Sequence, residues 1–398
     1  MRPGTKRGAL VRTVLTALAT LLATLPALGW PAAATASPSP VTVPTAKVDC
    51  VVYDEAAGRC AVAGVVYAIA QIGDRTYIGG DFTSVSGQPR SNLAAIRADG
   101  TLDPAWTPEA DGVVYALAAS SDGSKVFLGG TFTAVNGQPR RLAAVTSDTG
   151  DLVAGWTTTT SNNTVRALVT DAGNRLYVGG SFSRIGGRDI NRLAALNQTT
   201  GAVDPAFAPR PSSTVRALAL SEDGTRLYAG GPFATIGGLS RPGAAELSSL
   251  TGQVTTFAPT DGGVVISMDV SPSGRLFFGT TNNRTWAYDP SSSGTPLYRV
   301  RTSGDVQAIL ATEEEVYVGG HFSGFPEAHL DRLHIGSFLA EDGTVTAWNP
   351  GANGSYGVWA FGLTPTLQSP NALPALSVGG DFTRVAGAAR RGYARFRF

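Results

Sequence analysis

The chain has 398 residues, of which 43% are apolar, enough to bury a sizeable core in one large or two ordinary domains. A formal charge of +1 and a charged fraction of 15% leave no dominant field, so neither nucleic acid nor an anionic membrane surface is an expected partner. Forty-nine Gly and 24 Pro, without a Gly-X-Y run, fit many short strands joined by tight turns and not a helical protein.

The first segment reads as an export signal. Arg2, Lys6, Arg7 and Arg12 form a basic region, TVLTALATLLATLPALGW is apolar, and Ala34-Thr35-Ala36 offers the small residues of a cleavage site. The expectation is a signal peptide over 1–36, cleavage near Ala36, a Ser/Pro-rich linker over 37–47, and a secreted product with no stable membrane insertion. The competing reading, an uncleaved anchor, is disfavoured because the small residues follow the apolar stretch at the expected distance. Cys50 and Cys60 come next, in VDCVVYDEAAGRCAV. Two cysteines so close in an exported chain most simply form one disulfide across a hairpin; two free thiols are the weaker alternative.

From residue 65 the chain repeats itself. YIGGDFTSVSGQPRSNLAAI, over 77–96, returns fifty residues later as FLGGTFTAVNGQPRRLAAV. The first glycines of the pairs fall at Gly79, Gly129, Gly179, Gly230, Gly279 (followed by Thr280 instead of Gly), Gly319 and Gly379. Successive steps of 50, 50, 51, 49, 40 and 60 residues define seven units. Each opens with a short alternating strand such as VVYAL or TVRAL, turns at Ser-Asp-Gly or Asp-Ala-Gly, and continues into an aromatic strand such as RLYVGG. A third strand of the RLAAL type follows, then a Thr-Gly or Asp-Gly turn and a last strand ending in Trp106, Trp156, Phe207, Phe257 or Trp348.

Four antiparallel strands at this spacing predict an all-β chain: a seven-bladed β-propeller of four-stranded blades, as one domain over 48–398. The blades run about 65–107, 113–157, 164–208, 214–258, 264–300, 305–349 and 355–398. The seventh unit stops at ARFRF, where the others have their third strand, so its outer strand is expected from 48–63, closing the ring with the disulfide pinning the join. The glycine pairs are read as sites of close backbone approach that tolerate a bulge. They are not a phosphate loop, because Phe-Thr or Phe-Ser follows them and no helix start does.

The string [YF][IVL]GG-x-F-[TS]-x-[VI]-x-G-x-x-R, then LAA and a turn, resembles the delta-60 repeat of secreted bacterial β-propellers, and is similar to repeats of fungal cortical cell-polarity markers. The resemblance spans about 48–398, weakens in unit five (LFFGTTNNRTWAYD), implies fold and location, and transfers no catalytic residue. LAAVTSDTGDLVAGW is also similar to the tryptophan-docking motif of quinoprotein dehydrogenases, which implies docking of one blade on the next and no quinone site.

Aligning the units yields two candidate constellations. The first-strand position carries Tyr67, Tyr115, Arg166, Arg216, Ile266, Gln307 and Trp359. If this strand is innermost, Tyr67, Tyr115, Arg166, Arg216, Gln307 and Trp359 gather at the channel mouth, where aromatic faces beside guanidinium suit a sugar or an acidic ligand. The alternative is packing between blades with snorkelling Arg. The position after the glycine pair brings Asp81, His321 and Asp381 onto adjacent blades, either as a polar or metal-binding cluster or as residues that hydrogen-bond a turn. The three histidines, His321, His329 and His334, cluster in unit six and read as an irregular exposed loop.

No GxSxG, HExxH, CxxC or P-loop occurs, and no cofactor is expected. The expectation is therefore an exported binding or protein-interaction module at the cell envelope or outside the cell, with a cell-wall or extracellular glycan or another envelope protein as partner. The alternative is an extracellular propeller enzyme of hydrolase or lyase type, acting on a carbohydrate or lactone-like substrate at the channel mouth.

Overall fold

A computed structural model of the chain describes residues 64–161, 163–259, 263–292, 294–364 and 375–397. The expected export signal, linker, Cys50, Cys60 and N-terminal closing strand lie outside the described residues. Among these, the architecture is all-β and propeller-like: seven antiparallel sheets of three or four strands, with five two-stranded hairpins between them.

In each sheet the strand that runs into the glycine pair, or into Gly279-Thr280 in the fifth, lies inside the sheet, paired on both sides. In the first, Arg75–Phe82 pairs with Gly64–Ile72 on one side and Leu93–Ile96 on the other. The same order recurs through Val358–Thr364, Ala375–Gly380 and Tyr393–Arg397 in the last. The first strands contact one another in chain order, and Val358–Thr364 packs in turn against Gly64–Ile72.

The glycine pair explains both the packing and a local irregularity. A methyl on the first glycine would press into the next sheet: at 2.7 Å from Val114 Cγ1 for Gly79, 2.8 Å from Val215 Cγ1 for Gly179, and 2.6 Å from Val66 Cγ1 for Gly379. The missing side chain thus lets a valine of the following sheet settle on the strand backbone, and from sheet seven the follower is sheet one. The second glycine faces its own first strand. Methyls on Gly80, Gly130, Gly180, Gly231, Gly320 and Gly380 would collide with the carbonyl oxygens of Val65, Val113, Thr164, Thr214, Asp305 and Gly357. That close approach accommodates a bulge in the first strand, where one residue drops out of the pairing register. Val66 pairs with Gly80 and Ala68 with Gly79, which leaves Tyr67 unpaired, and the same skip recurs opposite the pairs of sheets two, three, six and seven. Sheet five keeps the bulge with Thr280 in the second place; there the opposing chain carries Gly263, where a methyl would meet Thr280 Cβ at 3.2 Å.

The expected fourth strands are shorter than the sequence suggests. Among the described residues only the fifth sheet has a fourth strand of length, Pro296–Arg301; in sheets one to four and six the segment makes a single bridge, such as Ile96 to Leu102 or Val145 to Leu152. The chain leaves the sheet because its terminal aromatic turns inward. Trp106 is fully buried against Tyr77, with ring centroids 5.0 Å apart, and its indole N–H donates to the Thr146 carbonyl of the next sheet at 2.9 Å. Trp156 on Phe127, Phe207 on Tyr177 and Trp348 on Tyr317 repeat the arrangement. Docking continues through the central strands, since the Tyr77 and Tyr177 hydroxyls donate to Ser147 O and Ser249 O of the following sheets at 2.7 and 3.0 Å. At the return from last sheet to first, the Arg395 guanidinium donates to Thr76 Oγ1 at 2.7 Å and to Ala98 O at 2.9 Å. Among the described residues no helix is long and apolar enough to cross a membrane.

Candidate functional site

Equivalent residues of the first strands line one cavity. Tyr67, Tyr115, Arg166, Arg216, Ile266, Gln307 and Trp359, one from each sheet, together with Thr281 and Asp305, surround a volume of about 400 Å³. A second cavity borders the same seven side chains and the next two residues of each first strand, so the open space continues along the strands. All six ligand-binding candidates read from the sequence are thus brought together, and the alternative of burial between sheets does not hold for them. Strand alternation is the reason: the flanking neighbours, Val66 and Ala68 or Val358 and Ala360, stay buried while Tyr67 or Trp359 is partly exposed.

Within the site the aromatics and the cations are ordered by sheet. Tyr67 stands 5.1 Å from Tyr115 and 5.0 Å from Trp359, the latter edge to face, and the Arg166 guanidinium lies 4.3 Å above the Tyr115 ring centre. Burial pushes the Tyr67 phenol above its ordinary value; Tyr115, Asp81 and Asp381 push the same way, and Arg166 opposes them. Burial pulls the Arg216 guanidinium down, and the charge of Arg166 beside it adds to the effect. Across the cavity Asp305 accepts from Gln307 Nε2 at 3.2 Å. Gln307 Oε1 and Trp359 Nε1 are both buried atoms without a hydrogen-bond partner among the described residues. One is an acceptor and the other a donor.

The second constellation resolves differently. Asp381 spends its carboxylate on the backbone, accepting from the amides of Ser355, Tyr356 and Gly357 at 3.0, 2.9 and 2.6 Å. Asp81 is exposed, and His321 Nδ1 lies 3.8 Å from Asp305. No group of three or more His, Cys, Asp or Glu side chains among the described residues is placed to hold a metal ion. Asp81, His321 and Asp381 are therefore not gathered as ligands, because Asp381 is committed to shaping the loop before its own first strand.

The histidines also depart from the expected exposed loop. His329 is exposed, in a left-handed conformation after the short 3-10 turn Pro326–Ala328, but His334 is buried, and its ring stands 6.2 Å from that of His321. Burial lowers the His334 pKa, with the nearby Asp381 opposing. The sequence spacing missed this pairing because a hairpin, Gly324–Phe325 with Leu330–Asp331, folds the intervening chain back.

Tyr356 was missed altogether. It is 54% exposed, on the loop that Asp381 holds, with its ring 6.0 Å from Trp359 and 5.7 Å from His321. The only sequence signal is an aromatic three residues before the mouth position, in an otherwise polar stretch, GANGSYGVW. Aromatic contacts thus run without a break from Tyr115 through Tyr67, Trp359 and Tyr356 to His321.

Comparison with known proteins agrees with the architecture. Residues 74–105, the centre of the first unit, match the family described as "Domain of unknown function (DUF5122) beta-propeller". Among solved structures the chain is similar to the WD40 β-propeller domain of Doa1, with 12% identity, a TM-score of 0.56, and coverage of 84% of this chain and 93% of that one. No curated protein matches the chain. At that identity the likeness shows the fold alone, and function has to be argued from the site.

Proposed function

We propose that the chain is an exported seven-bladed β-propeller acting as a binding module at the cell envelope or outside the cell, with its ligand seated at one mouth of the central channel. The observation that carries this reading is the cavity itself. Seven first-strand residues, one per sheet, converge on a single space of about 400 Å³, a size typical of small-molecule sites. A propeller fold suits an interaction module. The unbroken order of contacts from sheet one to sheet seven and back supports the blade count.

The third strand of the last sheet, Tyr393–Arg397, has no outer neighbour among the described residues, which supports a closing strand drawn from 48–63 and pinned by a Cys50–Cys60 disulfide. The basic and apolar N-terminal segment supports export, and the repeat pattern supports membership of the delta-60 class. The enzymatic alternative draws no support from Asp381, whose carboxylate is taken up by three backbone amides.

A screen of the mature protein on a glycan array and on isolated cell-wall material tests the reading. A captured ligand should bind Trp359→Ala more weakly by about 1 to 3 kcal/mol while the variant melts near the parent temperature. Capture that is indifferent to Trp359 and Arg166 would place binding elsewhere on the surface.

A further inference from the structure

The mouth is electrically lopsided. Arg166 and Arg216 stand on adjacent first strands, and among the described residues neither has a carboxylate partner, whereas Arg75, Arg175 and Arg226 pair with Asp103, Asp204 and Glu246. Holding two like charges side by side costs free energy that an arriving anion recovers. The opposite arc is acidic. Asp305 lines it, and Asp81 and Asp381 lie close enough to act on the Tyr67 phenol, so an anionic group is favoured at the arginines and repelled across from them. Carboxylates accept from neutral hydroxyls, which makes that arc a place for hydroxyl donors.

On the acidic side, in the sheets of Asp81 and Asp381, lie the partly exposed rings of Tyr67 and Trp359, suited to the apolar face of a pyranose. Trp359 Nε1 and Gln307 Oε1, a donor and an acceptor, are buried behind the wall without hydrogen-bond partners among the described residues. The cavity of about 400 Å³ is closed at the sides by all seven sheets, which suits the end of a chain better than its middle.

Resting on the proposed mouth site, we infer that the ligand is an acidic glycan whose terminal carboxylated sugar enters the mouth. Its carboxylate lies between Arg166 and Arg216, its ring on Tyr67 and Trp359, and its hydroxyls toward Gln307 and Asp305. The next sugar leaves over Tyr356 and His321. Tyr356 is the exposed continuation of the same aromatic contacts, and the three amides that Asp381 accepts keep its loop in place.

The test titrates the mature protein with galacturonate, galactose, acetate and a galacturonate trimer, by calorimetry and by saturation-transfer NMR. Galacturonate should bind at least tenfold tighter than galactose, and acetate should not compete at equal concentration. Arg216→Gln, checked by its melting temperature, should remove the preference for the acid, bringing the affinities for galacturonate and galactose within about twofold of each other. The trimer should bind several-fold tighter than the monomer, and Tyr356→Ala should remove that gain alone. Equal binding of acid and neutral sugar, a preference that survives Arg216→Gln, or competition by acetate would each overturn the acidic-glycan inference. If galactose binding still falls in Trp359→Ala, the mouth site survives that failure. If no array ligand responds to Trp359→Ala either, both fall.

Discussion

Replacing Gly130 by alanine would drive a methyl group onto the Val113 carbonyl, colliding with its oxygen and lying 3.0 Å from both the Val113 carbonyl carbon and Val114 Cα. These are backbone atoms of the bulged first strand, so no side-chain rotation relieves the clash and the two strands must separate. Overpacking a rigid site costs typically 1 to 3 kcal/mol, and a collision with backbone belongs at or above the top of that range, about 3 to 5 kcal/mol. An unfolding entropy of about 2.1 cal/mol/K per residue, over roughly 320 described residues, gives about 0.7 kcal/mol/K, so 4 kcal/mol corresponds to a fall of about 6 °C.

Gly187→Ala is the control. Nothing lies within 4 Å of the added methyl there, and only the positive φ of 75° opposes it, at about 1 kcal/mol or 1 to 2 °C. Differential scanning calorimetry of both variants decides the matter. If Gly130→Ala melts no lower than Gly187→Ala, the second glycine of the pair is not there to admit the neighbouring strand, and the account of the repeat is wrong.

Four further outcomes are expected. Arg166→Ala should weaken binding of a mouth ligand by about 1 to 3 kcal/mol with a smaller change in melting, measured by calorimetric titration beside a thermal scan; a stability loss without a binding loss would point to packing instead. Asp269 accepts from the amides of Val270 and of Ala311 in the next sheet, and burial pushes its carboxyl up to about 6 from an unfolded value near 3.8. The folded state therefore holds the proton more tightly, so this group makes stability fall as pH rises from about 4 to 6.5, by about 2 kcal/mol, and urea unfolding of Asp269→Asn should lack that fall. Asp381→Ala removes three acceptor contacts to backbone amides and should cost about 2 to 4 kcal/mol in chemical denaturation, with faster amide exchange at 355–357 as the local sign. Alkylation without reduction, followed by mass spectrometry, should find Cys50 and Cys60 unmodified in the mature protein; two labelled thiols would remove the disulfide clasp.

The repeat made much of this legible. A glycine pair about every fifty residues locates the central strands, and alignment of the units alone places Tyr67, Tyr115, Arg166, Arg216, Gln307 and Trp359 at one position. Periodic equivalence was enough because each position is fixed by its own unit and its neighbours. What escaped depends on contacts that no period encodes. The fourth strands shrink to single bridges because Trp106 and its counterparts gain more by burial beneath the next sheet than by continuing a ladder. Asp381 aligned with Asp81 and His321, yet the amides of 355–357, specific to the last unit, claim it. His334 meets His321 only because a local hairpin intervenes, and Tyr356 stands in a loop whose sequence has no equivalent in the other units.

The seven mouth positions, six of them at a register skip of the first strand, have a consequence for how such a chain diversifies. A side chain at Tyr67 or Trp359 neither faces a cross-strand partner nor sits in the seam between sheets, since Val66 and Val358 occupy the seams. Substitution at these seven places is therefore nearly decoupled from folding, and Tyr, Arg, Ile, Gln and Trp are all found there within one molecule. After duplication of an ancestral unit, the framework glycines would stay under strong selection while the neighbouring unpaired positions drifted freely. Specificity in this architecture can change one residue at a time, without the stability debt that usually accompanies a new binding site.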